Sequence, residues 1–251
     1  MLTGLPLNQP TRYLTRSLGE KPFYHPWRNT LSNRVNTGSA KQKTGLDPLL
    51  YYRLCRIQEA LSRRVVVSDE WLESIRRVAG VDAAYRENLA AVGFSVYSIP
   101  GNRITLVSVS KTFSRMPYVS TLLCFKEAPV VLKMLRRFIN DYDLLIVNGH
   151  GLAHPRGCGL ATYLGIVLKK PVIGVARKPL GELGAEHNVN NLRMFEDKYY
   201  YSVGNMMTLE GASSILRRTT PGGFKLPIPL EAAHKFSVKM LREMVENAER
   251  V

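Results

Sequence analysis

Two short stretches carry residues able to do chemistry. Val81-Asp82-Ala83 ends one apolar run on an acid, and Val147-Asn148-Gly149-His150-Gly151 ends another on an amide, two glycines and an imidazole. Ligands of open α/β sheets bind beyond the carboxyl ends of strands, so a site is expected where these two segments meet. Other reactive types point nowhere as definite. His150 and His154 have the spacing of a helical zinc pair, but the glycine between them and Pro155 after them oppose a helix. Cys158 has no base near it in sequence, which argues against a thiol nucleophile.

Positioning those segments requires a sheet. Leu49–Leu61 has helical spacing, and Ser68 before Asp69 and Glu70 predicts a capped short helix to about Arg76. Val78–Tyr85, Ala90–Ser98 and Ile104–Val109 read as an antiparallel meander, turned once at Pro100-Gly101-Asn102. Helices are expected over Leu122–Phe138, Arg156–Leu168, from Thr208 to Leu216, and over Pro229–Glu249. Leu144–Val147 and Val172–Ala176 are apolar without alternation, as strands covered on both faces are. Tyr199–Val203 reads as an antiparallel strand. Together these predict an α/β fold, a mixed sheet with helices on both faces.

The chain has 251 residues, with 35 Lys+Arg against 20 Asp+Glu and a formal charge of +15. Such a charge attracts polyanions, and nucleic acid is the leading partner class. The 45% apolar content excludes global disorder. No apolar run approaches the ~18 residues of a membrane span, and the first residues lack a secretory core. Three scattered cysteines without a C-x-x-C suit a reducing, intracellular setting. Residues 1–47 stand apart from the globular pattern of 48–251. Arg12, Arg16, Lys21, Arg28, Arg34, Lys41 and Lys43 face only two acids there, interleaved with Tyr13, Phe23, Tyr24 and Trp27. A basic aromatic arm suits RNA or single-stranded DNA, whose phosphates it neutralises and whose bases it stacks upon. The other reading of the same composition is a tail packed by its aromatics on its own domain.

GVDAAY (80–85), MPYVSTLLCFKE (116–127), VNGHGLAHPRGCGLATYLG (147–165) and PVIGVARKPLG (171–181) resemble the endonuclease V family, in order and at similar spacing from about Ile57 to Lys225. The resemblance implies an RNase H-like fold and Mg²⁺-dependent cutting of DNA or RNA near a hypoxanthine (inosine) base, a DNA-repair activity. It places metal-holding acids at Asp82 and Glu127. The family's third acid is Asn148 here, its lysine after GVA is Arg177, and a histidine near SVGN is Asn205. An amide lacks the charge a dication needs, arginine does not shed a proton readily, and asparagine does not titrate near neutral pH. For an extruded base the resemblance implies a pocket of Leu123, Gly149, Gly151, Gly159 and Leu180. Thr121 replaces a family glycine in its wall, and Tyr118 stands as the wedge. The expectation is therefore a nucleic-acid-binding pseudoenzyme with lost or strongly reduced cleavage. The alternatives are an active Mg²⁺ endonuclease at inosine, and a structural component of a ribonucleoprotein held through residues 1–47.

Overall fold

The computed structural model describes residues 45–180 and 189–248. Helix α1 (Pro48–Ser62) starts with proline in its first turn, capped by the Asp47 carboxylate, which accepts from Leu50 N at 2.9 Å. Three long strands follow, β1 (Arg77–Arg86), β2 (Leu89–Ser98) and β3 (Arg103–Phe113). Helix α2 (Leu123–Arg137) leads to the short central strand β4 (Leu144–Asn148), then α3 (Leu160–Leu168) and β5 (Val172–Ala176). The hairpin β6 (Arg193–Phe195) and β7 (Tyr199–Asn205) precedes α4 (Leu209–Thr219) and α5 (Ile228–Ala248).

The strands form one sheet in the order β3-β2-β1-β4-β5-β7-β6. β4 runs parallel to both β1 and β5, whereas the outer pairs are antiparallel. The period-2 alternation of the strands divides the core in two. Ala79, Val81, Leu145 and Val147 meet α2 and α3 on one face, while Val78, Leu144, Ile146 and Ile173 meet α4 and Leu230 of α5 on the other. None of the described helices is long and apolar enough to cross a membrane.

Helix α5 lies directly on β1 and β2 because small residues let it. A β-carbon at Gly80 would collide with the Pro229 carbonyl, and one at Gly93 with the carbonyl of Ala233. Ser95 Oγ donates to Pro229 O at 2.7 Å and fixes the start of the helix there.

Two expectations need correction. Between Ser68 and Arg76 only a single 3₁₀ turn forms, Leu72–Ser74. Asp69, expected to open a helix, instead accepts from Thr208 N at 2.8 Å and from its hydroxyl, serving the start of α4. The helix expected from Arg156 begins only at Leu160, because Gly157 takes φ +62° and Gly159 is extended at the cap. Strand β6 carried no signal in the sequence. The basic and aromatic residues from Arg12 to Lys43 lie outside the described residues.

Candidate functional site

Asp82 and Asn148 meet because of strand register. Val81 pairs with Val147 across the parallel β1–β4 ladder, so the next residue of each strand projects on the same face at the carboxyl end. Asn148 Nδ2 donates to Asp82 Oδ1 at 3.2 Å. From above, α5 supplies two more partners one turn apart. His234 Nδ1 lies 2.8 Å from Asp82 Oδ2, and the Ser237 hydroxyl donates to the same oxygen at 3.3 Å. Asp82 is 8% exposed, and each of its oxygens is engaged by the protein.

The strand ends floor a cavity of about 540 Å³. Glu127 enters it from α2, and burial, followed by the nearby Asp82 charge, pushes its carboxyl up to about 8, with Lys126 opposing. Arg177 follows β5 at the rim and is exposed. Leu123, Leu160 and Leu180 give the cavity an apolar wall, and Gly149 and Gly159 bring backbone to its surface.

A buried polar network holds that wall. Gln58 of α1 is fully buried and donates from Nε2 to Cys158 O at 2.7 Å and Thr121 O at 3.1 Å, while its Oε1 accepts from Arg156 Nε at 2.7 Å. Thr121 O also accepts from Arg156 Nη2 at 2.7 Å. His154 Nδ1 accepts from Arg156 N at 3.2 Å, so its Nε2 carries the proton and donates to Thr121 O at 3.0 Å. Burial, with the Arg156 charge next, pushes that ring down to about 3, which keeps it neutral.

Of the residues singled out in the sequence, Asp82, Glu127, Asn148, Arg177, Leu123, Gly149, Gly159 and Leu180 line this one cavity. Others sit elsewhere. Thr121 contributes its carbonyl to the network, and Ser120 faces the cavity in its place. Gly151 lies against β7, where a β-carbon would strike Val203 O. Tyr118 stands 66% exposed outside the cavity lining. Asn205 is 4% exposed and works as a brace between segments: Oδ1 accepts from Val66 N at 3.0 Å and Nδ2 donates to Gly165 O at 3.1 Å. Sequence reasoning missed His234, Ser237 and Gln58. For His234 and Ser237 the one available signal was their i, i+3 spacing on a helix.

The donor set fits a hard dication poorly. Mg²⁺ seeks several anionic oxygens near octahedral geometry. Here Asp82 already accepts from three side chains, and Asn148 turns its amide nitrogen toward the carboxylate. Among the described residues no group of three His, Cys, Asp or Glu side chains is arranged to hold a metal ion.

Fold and site together define a mixed α/β protein with its polar cluster at the carboxyl ends of parallel strands. A family model for Endonuclease V matches residues 59–196. Endonuclease V of Desulfurococcus amylolyticus is 36% identical over 216 residues, covering 77% of this chain and 97% of that protein. Endonuclease V of Pyrococcus abyssi is 35% identical over 191 residues, covering 76% and 93%. The chain belongs to the endonuclease V family. The catalytic domain of human Endonuclease V superposes with a TM-score of 0.68 at 25% identity, covering 78% of this chain and 98% of that one. Ciona intestinalis Endonuclease V, in complex with a 24mer DNA containing an inosine followed by a ribo-adenosine, gives a TM-score of 0.67 at 24% identity, covering 75% and 96%.

Proposed function

We propose that this protein binds inosine-containing single-stranded nucleic acid, RNA or DNA, with an extruded base in the strand-end cavity, and that its phosphodiester cleavage is strongly reduced. The observation that carries this reading is the hydrogen bond from Asn148 to Asp82. At the position where the family resemblance implies an acid, an amide donates to the first carboxylate and adds no negative charge. At an effective dielectric of 20, one unit charge about 4 Å from another is worth about 4 kcal/mol, so a missing carboxylate is a large loss to metal-assisted attack on phosphate. Binding relies on other parts. The apolar wall accepts a base, exposed Arg177 and Tyr118 offer a cation and a ring, and the net charge of +15 draws in the polyanion. The inosine-containing DNA in complex with the Ciona relative, a protein of the same fold, supports that class of ligand.

One observation favours an active enzyme instead: Asp82 and Glu127 are both present in the same cavity, close enough for the charge of one to raise the other. A single assay decides. The full chain and its Asn148→Asp variant are incubated with inosine-containing single-stranded DNA and RNA, in Mg²⁺ and in Mn²⁺. Both are expected to bind, and the variant to cut at least about tenfold faster, a 1.36 kcal/mol difference in barrier. Equal cleavage by the parent would establish an active endonuclease.

A further inference from the structure

Helix α1 leaves in water the kind of stripe that a helix ordinarily turns toward a core. Gln58 is the only fully buried side chain among its 15 residues, and Leu54 and Leu61 on the same side are half-buried. On the opposite side Leu49, Tyr52, Arg53, Arg56 and Ile57 recur at i, i+3, i+4, i+7 and i+8, and all five are exposed. Leu49 is 55% exposed, Tyr52 51% and Ile57 45%, with Leu50 exposed at the edge of the same face. A single apolar residue at a surface needs no explanation. Several gathered on one helix face mark a surface that meets something.

The charge around them says what. Arg53 and Arg56 are interleaved with the apolar residues, and Arg63 and Arg64 follow at the end of the helix, all exposed. The one acid within α1 is Glu59, which accepts from Arg56 Nη1 at 2.9 Å in an exposed pair worth little. The sign speaks against a second copy of a chain charged +15, and against residues 1–47 with their net +5 by sequence. A nucleic-acid strand has the right sign, yet its phosphates and bases engage arginine and tyrosine and leave the aliphatic Leu49, Leu50 and Ile57 uncovered. We propose that this face of α1 docks an acidic, amphipathic segment of a partner protein. The partner's apolar side chains lie against Leu49, Tyr52 and Ile57, and its carboxylates meet Arg53, Arg56, Arg63 and Arg64. Tyrosine and arginine are the types that carry most energy at protein interfaces, arginine through its two-pronged grip on carboxylates. Residues at this spacing are the anchors by which one helix lies along another segment. The five exposed residues lie outside the lining of the strand-end cavity, so this surface does not depend on what that cavity holds.

The probe is a fluorescein-labelled synthetic peptide of the length of α1, with leucine at i, i+3, i+4 and i+7 and glutamate and alanine elsewhere. Its controls are a peptide of the same composition with the leucines dispersed, and a single-stranded RNA of equal charge. Titrated with the full chain by fluorescence anisotropy, the striped peptide is expected to bind about tenfold more tightly than the dispersed one. Leu49→Ser combined with Ile57→Ser is expected to abolish that preference and to leave RNA affinity unchanged. Thermal unfolding checks that the variant is folded. If it is not, Arg53→Glu combined with Arg64→Glu decides, with a loss of about tenfold for the striped peptide expected and no loss overturning the proposal. Equal binding of the two peptides by the parent, or binding of neither, overturns it. An undiminished preference in the serine variant does the same. A drop in RNA affinity in that variant assigns the face to nucleic acid and overturns it too.

Discussion

His234 and Asp82 are 152 residues apart in sequence and joined by a 2.8 Å hydrogen bond that ties α5 to the end of β1. Facing a carboxylate, the ring donates from Nδ1, and Ser237 one turn later donates to the same oxygen. The acid therefore takes its orientation from the helix above it as well as from Asn148 beside it.

Removing that imidazole leaves Asp82 Oδ2 with Ser237 as its remaining partner among these. His234→Ala is expected to cost about 1 kcal/mol of stability, and a double-mutant cycle with Asp82→Asn to show a coupling of similar size. Denaturant unfolding of the four proteins measures both, and additive effects would show that the bond contributes nothing.

The approach of α5 to the sheet can be tested separately. In Gly93→Ala the new methyl group meets the Ala233 carbonyl, one residue before His234, so the helix must shift. A loss of about 3 kcal/mol is expected. Because the shift also withdraws the imidazole, adding His234→Ala to this variant should cost less than it does in the parent.

Glu127 gives a pH dependence of definite sign. Below its ordinary value of 4.5 the carboxyl is protonated in both states, whereas between 4.5 and about 8 the folded chain keeps a proton that the unfolded chain has released. Stability from this group is thus full at low pH and falls as pH rises through that window. Glu127→Gln should flatten the decline, so that the denaturation midpoints of variant and parent diverge toward pH 8 in the variant's favour. Parallel curves would show that the carboxyl titrates alike in both states.

Gln58 holds α1, the Thr121 carbonyl and the Cys158 carbonyl together. Gln58→Leu leaves both carbonyls without that donor and the Arg156 guanidinium without its Oε1 acceptor. A loss of about 2–3 kcal/mol is expected, larger than for an exposed polar site. Thermal unfolding reports it.

Residues 1–47 carry a net charge of +5 by sequence. If they lie along phosphates, removing them should make the log–log salt dependence of RNA affinity shallower, by about 0.7 for each phosphate of a single strand that they had neutralised. An unchanged slope would show that the segment neutralises no phosphate.

The sequence revealed the strand ends better than the helices above them. Leu144–Val147 and Val172–Ala176 stood out because central strands need apolar residues on both faces. Their ends marked where Asn148 would sit, and the motif at 80–85 marked Asp82. His234 was illegible for a physical reason: the periodicity of α5 says which stripe is buried, but the point where the helix crosses β1 is set by glycines more than a hundred residues earlier. Asn205, the last residue of SVGN, stands where the resemblance places a family histidine, and here it ends β7 beneath α3, where its amide bonds Val66 N on one side and Gly165 O on the other. Ser68-Asp69 likewise had the composition of a helix start, but its acid serves a different helix, start to start, through Thr208.

The order of synthesis adds a last consequence. Asp82 emerges from the ribosome 152 residues ahead of His234, an interval of roughly 8–30 s at ordinary elongation rates of about 5–20 residues per second. Throughout that wait β1 and β2 present Gly80 and Gly93 to water with nothing seated on them, and the nascent strand pair has a bare seam. A chain halted before α5 would display the loop around Asn148 without the helix that finishes its surroundings, so translation of α5 is the step that completes the cavity.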